Sequence, residues 1–139
     1  MNPKYKLGLI AGAFDLIHPG YIRLFKDAKK VCEYLVVAIH TDPNAENGKA
    51  KPILTWQERT EIVSSIKYIN RVTFYECEKD LIKVMIQFRP NVLIVGSDHR
   101  GRYITGEELK IPIYFHERDH DWSETKLKQM VIDAAGRKQ

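Results

Sequence analysis

The stretch Ala11 to Tyr21, AGAFDLIHPGY, joins an apolar run to an amphipathic one through small residues and a single histidine. Upstream, Lys6 to Phe14 is a short apolar run closed by a glycine-containing turn, and it reads as a buried strand. Downstream, Ile22, Leu24, Phe25, Ala28 and Val31 recur at helical spacing. Arg23, Lys26, Asp27, Lys29 and Lys30 fall mostly on the opposite face. Pro19 suits the first position of that helix, where its missing N–H costs nothing. A strand, a turn and a helix therefore bring His18, Pro19 and Gly20 to a helix start. Helix N-termini gather unpaired N–H groups and partial positive charge, which suits phosphate. His18 is placed to donate a hydrogen bond to a phosphoryl oxygen, and Gly20 lets such a ligand approach the backbone closely.

The same alternation continues along the chain. Tyr34 to His40 (YLVVAIH) is a second apolar strand, and the polar stretch Thr41 to Pro52 is a loop with turn signals at Asp42-Pro43 and Asn47-Gly48. Thr55 with Glu58 forms a capping-box pattern that opens a helix through about Tyr68. Arg71 to Glu76 is a third strand, Lys79 to Phe88 a helix stopped by Pro90, and Asn91 to Gly96 a fourth strand. A short helix at Glu107 to Lys110 precedes a fifth strand, Pro112 to His116. The last helix runs from Ser123 to about Ala135, with Leu127, Met130, Val131 and Ala134 on its apolar face. Continuous apolar strands alternating with helices predict a doubly wound α/β fold with a parallel five-stranded sheet. Such sheets bind ligands beyond the carboxyl ends of their strands.

Composition narrows the class further. The 139 residues are 44% hydrophobic and 29% charged, as expected for one ordinary domain spanning 1–139 rather than a disordered or low-complexity chain. No apolar run approaches the roughly 18 residues of a membrane span, and the N-terminus does not read as a signal peptide. The net charge of +4 suits a pocket for phosphates and is too small and scattered for a nucleic-acid stripe. Cys32 and Cys77 stand in unrelated contexts and read as two reduced thiols of a cytosolic protein. No cysteine or histidine spacing suggests a zinc site.

The run Gly12 to Tyr21, GAFDLIHPGY, resembles the G-x-F-D-x-x-H-x-G-H signature of the cytidylyltransferase-like nucleotidyltransferases. Further segments resemble the family in order: YLVVAIHTD; KPILTWQER, with Lys51 and Arg59; VGSDHRGRY, with Asp98; and ERDHDWSETK, standing where the family has R-T-E-G-I-S-T-T, with Arg118, Ser123 and Thr125. The likeness covers nearly the whole chain and implies a Rossmann-like fold of the HUP type. It also implies transfer of a nucleotidyl group: an acceptor phosphate oxygen attacks the α-phosphate of a nucleoside triphosphate, and pyrophosphate leaves. Positioning and charge neutralisation do the work, without an enzyme nucleophile.

On this resemblance His18 contacts the α-phosphate, and Lys51 reaches the triphosphate or the attacking phosphate. Arg118, with Ser123 and Thr125, holds the β- and γ-phosphates. Gly12, Ala13, Phe14, Gly20, Tyr21, Arg59 and Asp98 belong to the nucleotide side, and Asp15 with Lys51 to the acceptor side. Mg2+ enters bound mainly by the triphosphate itself. CTP with a small phosphorylated alcohol such as glycerol 3-phosphate is the favoured pair. ATP with a sugar phosphate or a flavin precursor is the alternative within the same chemistry, and a nucleotide-binding module without turnover is the alternative outside it. A cytosolic homodimer is implied as well. Four positions depart from the family pattern: Tyr21 replaces its final histidine, Ala13 and Glu124 replace threonines, and Asp121 replaces a glycine.

Outside these motifs, the dense polar run His116, Glu117, Asp119, His120 and Asp121 reads as a solvated or substrate-facing loop rather than a metal site. Trp56 and Trp122 flank the two proposed site loops and either stack on a ligand or pack internally. His40 and His99 stand at strand ends without a decisive motif.

Overall fold

The computed structural model describes residues 3–43 and 50–137; the turn expected at Asn47-Gly48 lies outside them. Strands and helices alternate as β1 (Tyr5–Gly12), α1 (Pro19–Val31), β2 (Cys32–His40), α2 (Trp56–Ser64), β3 (Arg71–Tyr75), α3 (Glu78–Phe88), β4 (Val92–Gly96), β5 (Ile113–His116) and α4 (Glu124–Gly136). Short 3-10 turns, Ser97–His99 and Glu107–Leu109, lie between β4 and β5. The capping box at α2 is present: the Glu58 N–H donates to Thr55 Oγ1 at 3.1 Å, and the Thr55 N–H to Glu58 Oε1 at 2.9 Å. That helix closes at Ser64, short of Tyr68, because the N–H groups of Ile66 and Ile69 turn to carbonyls three residues back.

All strand pairs are parallel, in the order β3-β2-β1-β4-β5. The chain lays β2 and β3 on one side of β1 and then returns to lay β4 and β5 on the other. Between β1 and β4 the connections diverge, and this opens a crevice at the carboxyl ends of the strands. β2 shows why the sheet is covered on both faces. Leu35, Val37 and Ile39 join one core with Phe25 and Ala28 of α1 and Val63 of α2. Val36 and Ala38 join the other, with Leu81, Val84 and Met85 of α3. A strand buried on both faces carries no polar alternation, which is why it reads as one apolar run.

The last helix departs from expectation. None of its residues is buried, and Met130, Val131 and Ile132 are 44%, 61% and 63% exposed. Of its apolar positions Leu127 is half-buried, while Met130, Val131 and Ile132 stand exposed.

β1 is packed too closely for a side chain at its centre. A Cβ on Gly8 would lie 2.7 Å from Ile94 Cδ1 and 2.8 Å from Cys32 Sγ, both from buried residues. Gly8→Val is expected to lower the unfolding free energy by about 1–3 kcal/mol through overpacking. Urea denaturation measures this, and an unchanged midpoint would refute the packing argument.

Candidate functional site

Beyond Gly12 the chain must leave the sheet and turn into α1. Phe14 makes the turn with φ at 53°, a left-handed conformation costly for an aromatic residue. Its ring compensates by entering the core, edge-on to Tyr21 at 5.4 Å and against Phe25 at 5.6 Å. The Phe14 side chain is therefore a core residue packed beneath the cleft that it helps to line. His18 follows as the N-cap of α1, its Nδ1 accepting the Gly20 N–H at 3.1 Å. That bond fixes the neutral tautomer, leaving the hydrogen on Nε2. Gly20 lines the cleft and also has a packing role. A Cβ there would meet His120 Cε1 at 2.7 Å and His18 Cε1 at 2.9 Å, so its bareness admits two imidazoles.

Hydrogen bonding corrects the expectation for Arg59 and gives Asp15 a structural task. Arg59 is 1% exposed. Its Nη1 donates to the carbonyls of Ala13 and His40 at 2.8 and 2.7 Å, Nη2 to Thr41 at 2.7 Å, and Nε to Leu54 at 3.1 Å. A guanidinium has five N–H donors, and four are engaged by backbone. Arg59 ties the ends of β1 and β2 together instead of facing a nucleotide. Asp15 is 3% exposed, and its carboxylate accepts the N–H groups of Ile53 at 2.8 Å and Leu54 at 2.9 Å. It holds the loop before α2 and also lines the cleft.

Apart from Arg59, the expected residues surround one cleft of about 910 Å³ at the strand ends. Gly12 and Ala13 come from the end of β1, His18 and Tyr21 from α1, and Lys51 from the loop before α2. Asp98 follows β4; Arg118 and Ser123 follow β5; Thr125 lies in the first turn of α4. Ser123 caps α4, its hydroxyl accepting the Lys126 N–H at 3.0 Å. The N-termini of α1 and α4 thus open on the same cleft. Arg118 reaches across it, with Nη1 3.9 Å from Asp98 Oδ2 and Nη2 donating to the Trp122 carbonyl. Trp122 stacks near His18, with centroids 6.1 Å apart, while Trp56 packs edge-on against Phe74 at 4.9 Å outside the cleft.

Two of the departures from the family pattern touch each other. The Tyr21 hydroxyl donates to Glu124 Oε1 at 2.6 Å, and the Asp15 N–H donates to the same oxygen at 3.2 Å. Burial, and then this bond to Glu124, push the Tyr21 phenol far above its ordinary pKa, so it stays a neutral donor. Glu124 was not expected among the site residues, and its spacing from Tyr21, 103 positions away, carries no signal in sequence. Asp121, the third departure, pairs with Lys126 at the rim. His116 ends β5 and lines the cleft; it is 8% exposed rather than solvated, with Nδ1 2.7 Å from Asp27 Oδ2.

A family model described as cytidylyltransferase-like matches residues 9–110. The bifunctional protein HldE of Caulobacter vibrioides is 30% identical over 106 residues, which are 75% of this chain and 22% of that protein. The chain therefore spans about a fifth of the length of such relatives. An FAD synthase of Archaeoglobus profundus is 30% identical over 131 residues, covering 88% of this chain and 83% of its own. Among solved structures, a lipopolysaccharide core biosynthesis protein of Thermoplasma volcanium matches with a TM-score of 0.69 at 25% identity, over 84% of this chain and 99% of that one.

Burial holds the His18 pKa below the ordinary histidine value; the Glu124 charge opposes the shift, while His120 and Arg118 add to it. The folded ring binds fewer protons than the unfolded one. Its contribution to stability is therefore complete above the unfolded value of about 6.5 and is lost as pH falls through the folded one. Asn at this position retains an acceptor for the cap without titrating. Urea midpoints of His18→Asn are expected to fall less steeply than wild type between about pH 7 and pH 5. Parallel slopes would contradict the burial of the ring.

Proposed function

The chain belongs to the cytidylyltransferase-like family, and from that premise we propose that it transfers a nucleotidyl group from a nucleoside triphosphate to a small phosphorylated alcohol. An acceptor phosphate oxygen forms the new bond to the α-phosphorus, the bond to the leaving oxygen breaks, and pyrophosphate departs. The observation that carries this reading is the imidazole of His18, fixed as an Nε2–H donor at the start of α1. The start of α4 and the Arg118 guanidinium line the same cleft. Donors held in place before the reaction stabilise charge that develops during it, without reorganisation.

In this reading His18 Nε2–H donates to an α-phosphate oxygen, and the bend at Gly12 and Ala13 receives the nucleotide beside it. Lys51, exposed at the cleft edge, reaches the triphosphate or the attacking phosphate. Arg118, the Ser123 hydroxyl and Thr125 at the α4 terminus hold the outer phosphates. Tyr21 supports His18 by stacking on it at 4.3 Å. Mg2+ arriving on the triphosphate fits this donor set, because the Asp15 and Glu124 carboxylates are already engaged by N–H and O–H donors. When bound, the ion neutralises triphosphate charge.

CTP with glycerol 3-phosphate follows the motif resemblance. Adenylyl transfer from ATP is favoured by the FAD synthase likeness, which runs over 88% of this chain. Cys32 and Cys77, both free, support a cytosolic setting. Among the described residues no helix is long and apolar enough to cross a membrane. The exposed Met130, Val131 and Ile132 support a homodimer.

Pyrophosphate release over CTP, ATP, GTP and UTP, against glycerol 3-phosphate, a sugar phosphate and FMN, tests the reaction. Release is expected only when nucleotide and acceptor are both present. His18→Ala is expected to lower kcat by at least about 10²-fold with circular dichroism unchanged. Nucleotide binding without release over the whole panel would replace this reading with a binding module. Light scattering on a sizing column is expected to give twice the 16.2 kDa chain mass, and Ile132→Glu to lower it towards one chain. A wild-type mass of one chain would remove the dimer.

A further inference from the structure

None of the residues of α4 is buried, so this helix sits on the domain without a side chain sunk in the core. Its start nevertheless brings Ser123 and Thr125 to the cleft that His18 lines. Two hydrogen bonds tie that start to the bend after β1 and to α1, and both end on one atom. Glu124 Oε1 accepts the Tyr21 hydroxyl at 2.6 Å and the Asp15 N–H at 3.2 Å. The shorter separation is that of a strong O–H to carboxylate bond. Burial, and then the bond itself, hold the Tyr21 phenol far above its ordinary pKa, so its hydrogen is always there to donate.

What Glu124 holds is passed on to the imidazole. The Tyr21 ring stacks on His18 with centroids 4.3 Å apart and planes 24° from parallel. Trp122 also lies nearly parallel to His18, at 6.1 Å and 14°. The Gly20 N–H locates one ring atom, Nδ1, at 3.1 Å. The stack sets the plane through that atom, and the two constraints together aim Nε2–H. Phe14 and Phe25 pack against the body of the Tyr21 ring, at 5.4 and 6.4 Å, and Glu124 holds its tip. Breaking the one bond at the tip therefore loosens the His18 stack and the start of α4 together.

We propose that Glu124 is a positioning residue that latches the start of α4 to the bend at Asp15 and, through the Tyr21 hydroxyl, holds the His18 imidazole in its donating orientation. The proposal rests on the nucleotidyl-transfer reading for the task of His18. The latch itself stands on the two hydrogen bonds and the ring stack.

The rate of pyrophosphate release tests this in a double-mutant cycle. Tyr21→Phe keeps the ring and loses the hydroxyl. It is expected to lower kcat by at least about tenfold, with the nucleotide KM changed by less than about threefold. Glu124→Ala is expected to lose at least as much, and adding Tyr21→Phe to it to cost nothing further. Glu124→Gln, whose side-chain oxygen still accepts, is expected to recover part of the loss. An unchanged kcat in either single variant, losses that multiply, or a Gln variant as slow as the Ala one would overturn the proposal. So would a loss confined to KM or to the urea midpoint.

If no nucleotide and acceptor pair releases pyrophosphate from wild type, the transfer reading fails, and NMR of the full chain tests the latch by itself. The His18 ring resonances, assigned by their absence in His18→Asn, are followed at about pH 8, where burial keeps that ring neutral. Tyr21→Phe and Glu124→Ala are each expected to move them as the stack loosens, and Glu124→Gln to move them less. Resonances that stay in place in both of the first two variants, or that move as far in Glu124→Gln as in Glu124→Ala, would overturn the latch.

Discussion

A guanidinium with 1% exposure sits where β1 and β2 end, and the geometry of the cleft follows from what it binds. Removing a cation from water costs several kcal/mol unless its donors are satisfied. Arg59 meets that condition with carbonyls from Ala13, His40, Thr41 and Leu54, drawn from three segments distant in sequence. Asp15 completes the arrangement from the other side by accepting the N–H groups of Ile53 and Leu54, and its charge partly offsets the effect of burial on Arg59. One buried cation and one buried anion thereby set the distance between the β1 bend and the loop that brings Lys51 to the cleft.

The departures from the family pattern become intelligible once the fold brings them together. Tyr21 without a positive charge and Glu124 with a negative one look independently unfavourable beside a phosphate site. In the structure they share a 2.6 Å hydrogen bond, and the Asp15 N–H shares the same acceptor oxygen. Glu124 also stands in the first turn of α4, where a carboxylate meets the positive end of the helix dipole. Asp121 is neutralised by Lys126. The added carboxylates are therefore balanced locally, and Arg118 lines the cleft together with His18.

Which candidates were legible depended on whether their role is local. The place of His18 was readable because a cap, a proline and a glycine in succession mark a helix start over three residues. The place of Ser123 was readable as a serine opening the last amphipathic helix. Arg59 was not: its place in a lysine-then-arginine stretch suggested a ligand contact, while its donors meet carbonyls up to 46 residues away. Gly20 looked like room for a ligand, yet its neighbours are the rings of His18 and His120. His116 lies in a polar run that reads as solvated or substrate-facing, and only the crossing of α1 and β5 puts Asp27 beside it.

The order and type of elements were set by the sequence alone, since strands buried on both faces must be continuously apolar and helices covering them must repeat every 3.6 residues. Those patterns are local and survive without knowledge of any partner. What each polar side chain does was decided only in three dimensions. A carboxylate or guanidinium binds whatever donor or acceptor burial leaves beside it, and that neighbour comes from another strand end or helix. Arg59, Asp15, Glu124 and His116 acquired their partners from the doubly wound topology, which gathers one end of every strand into a single rim.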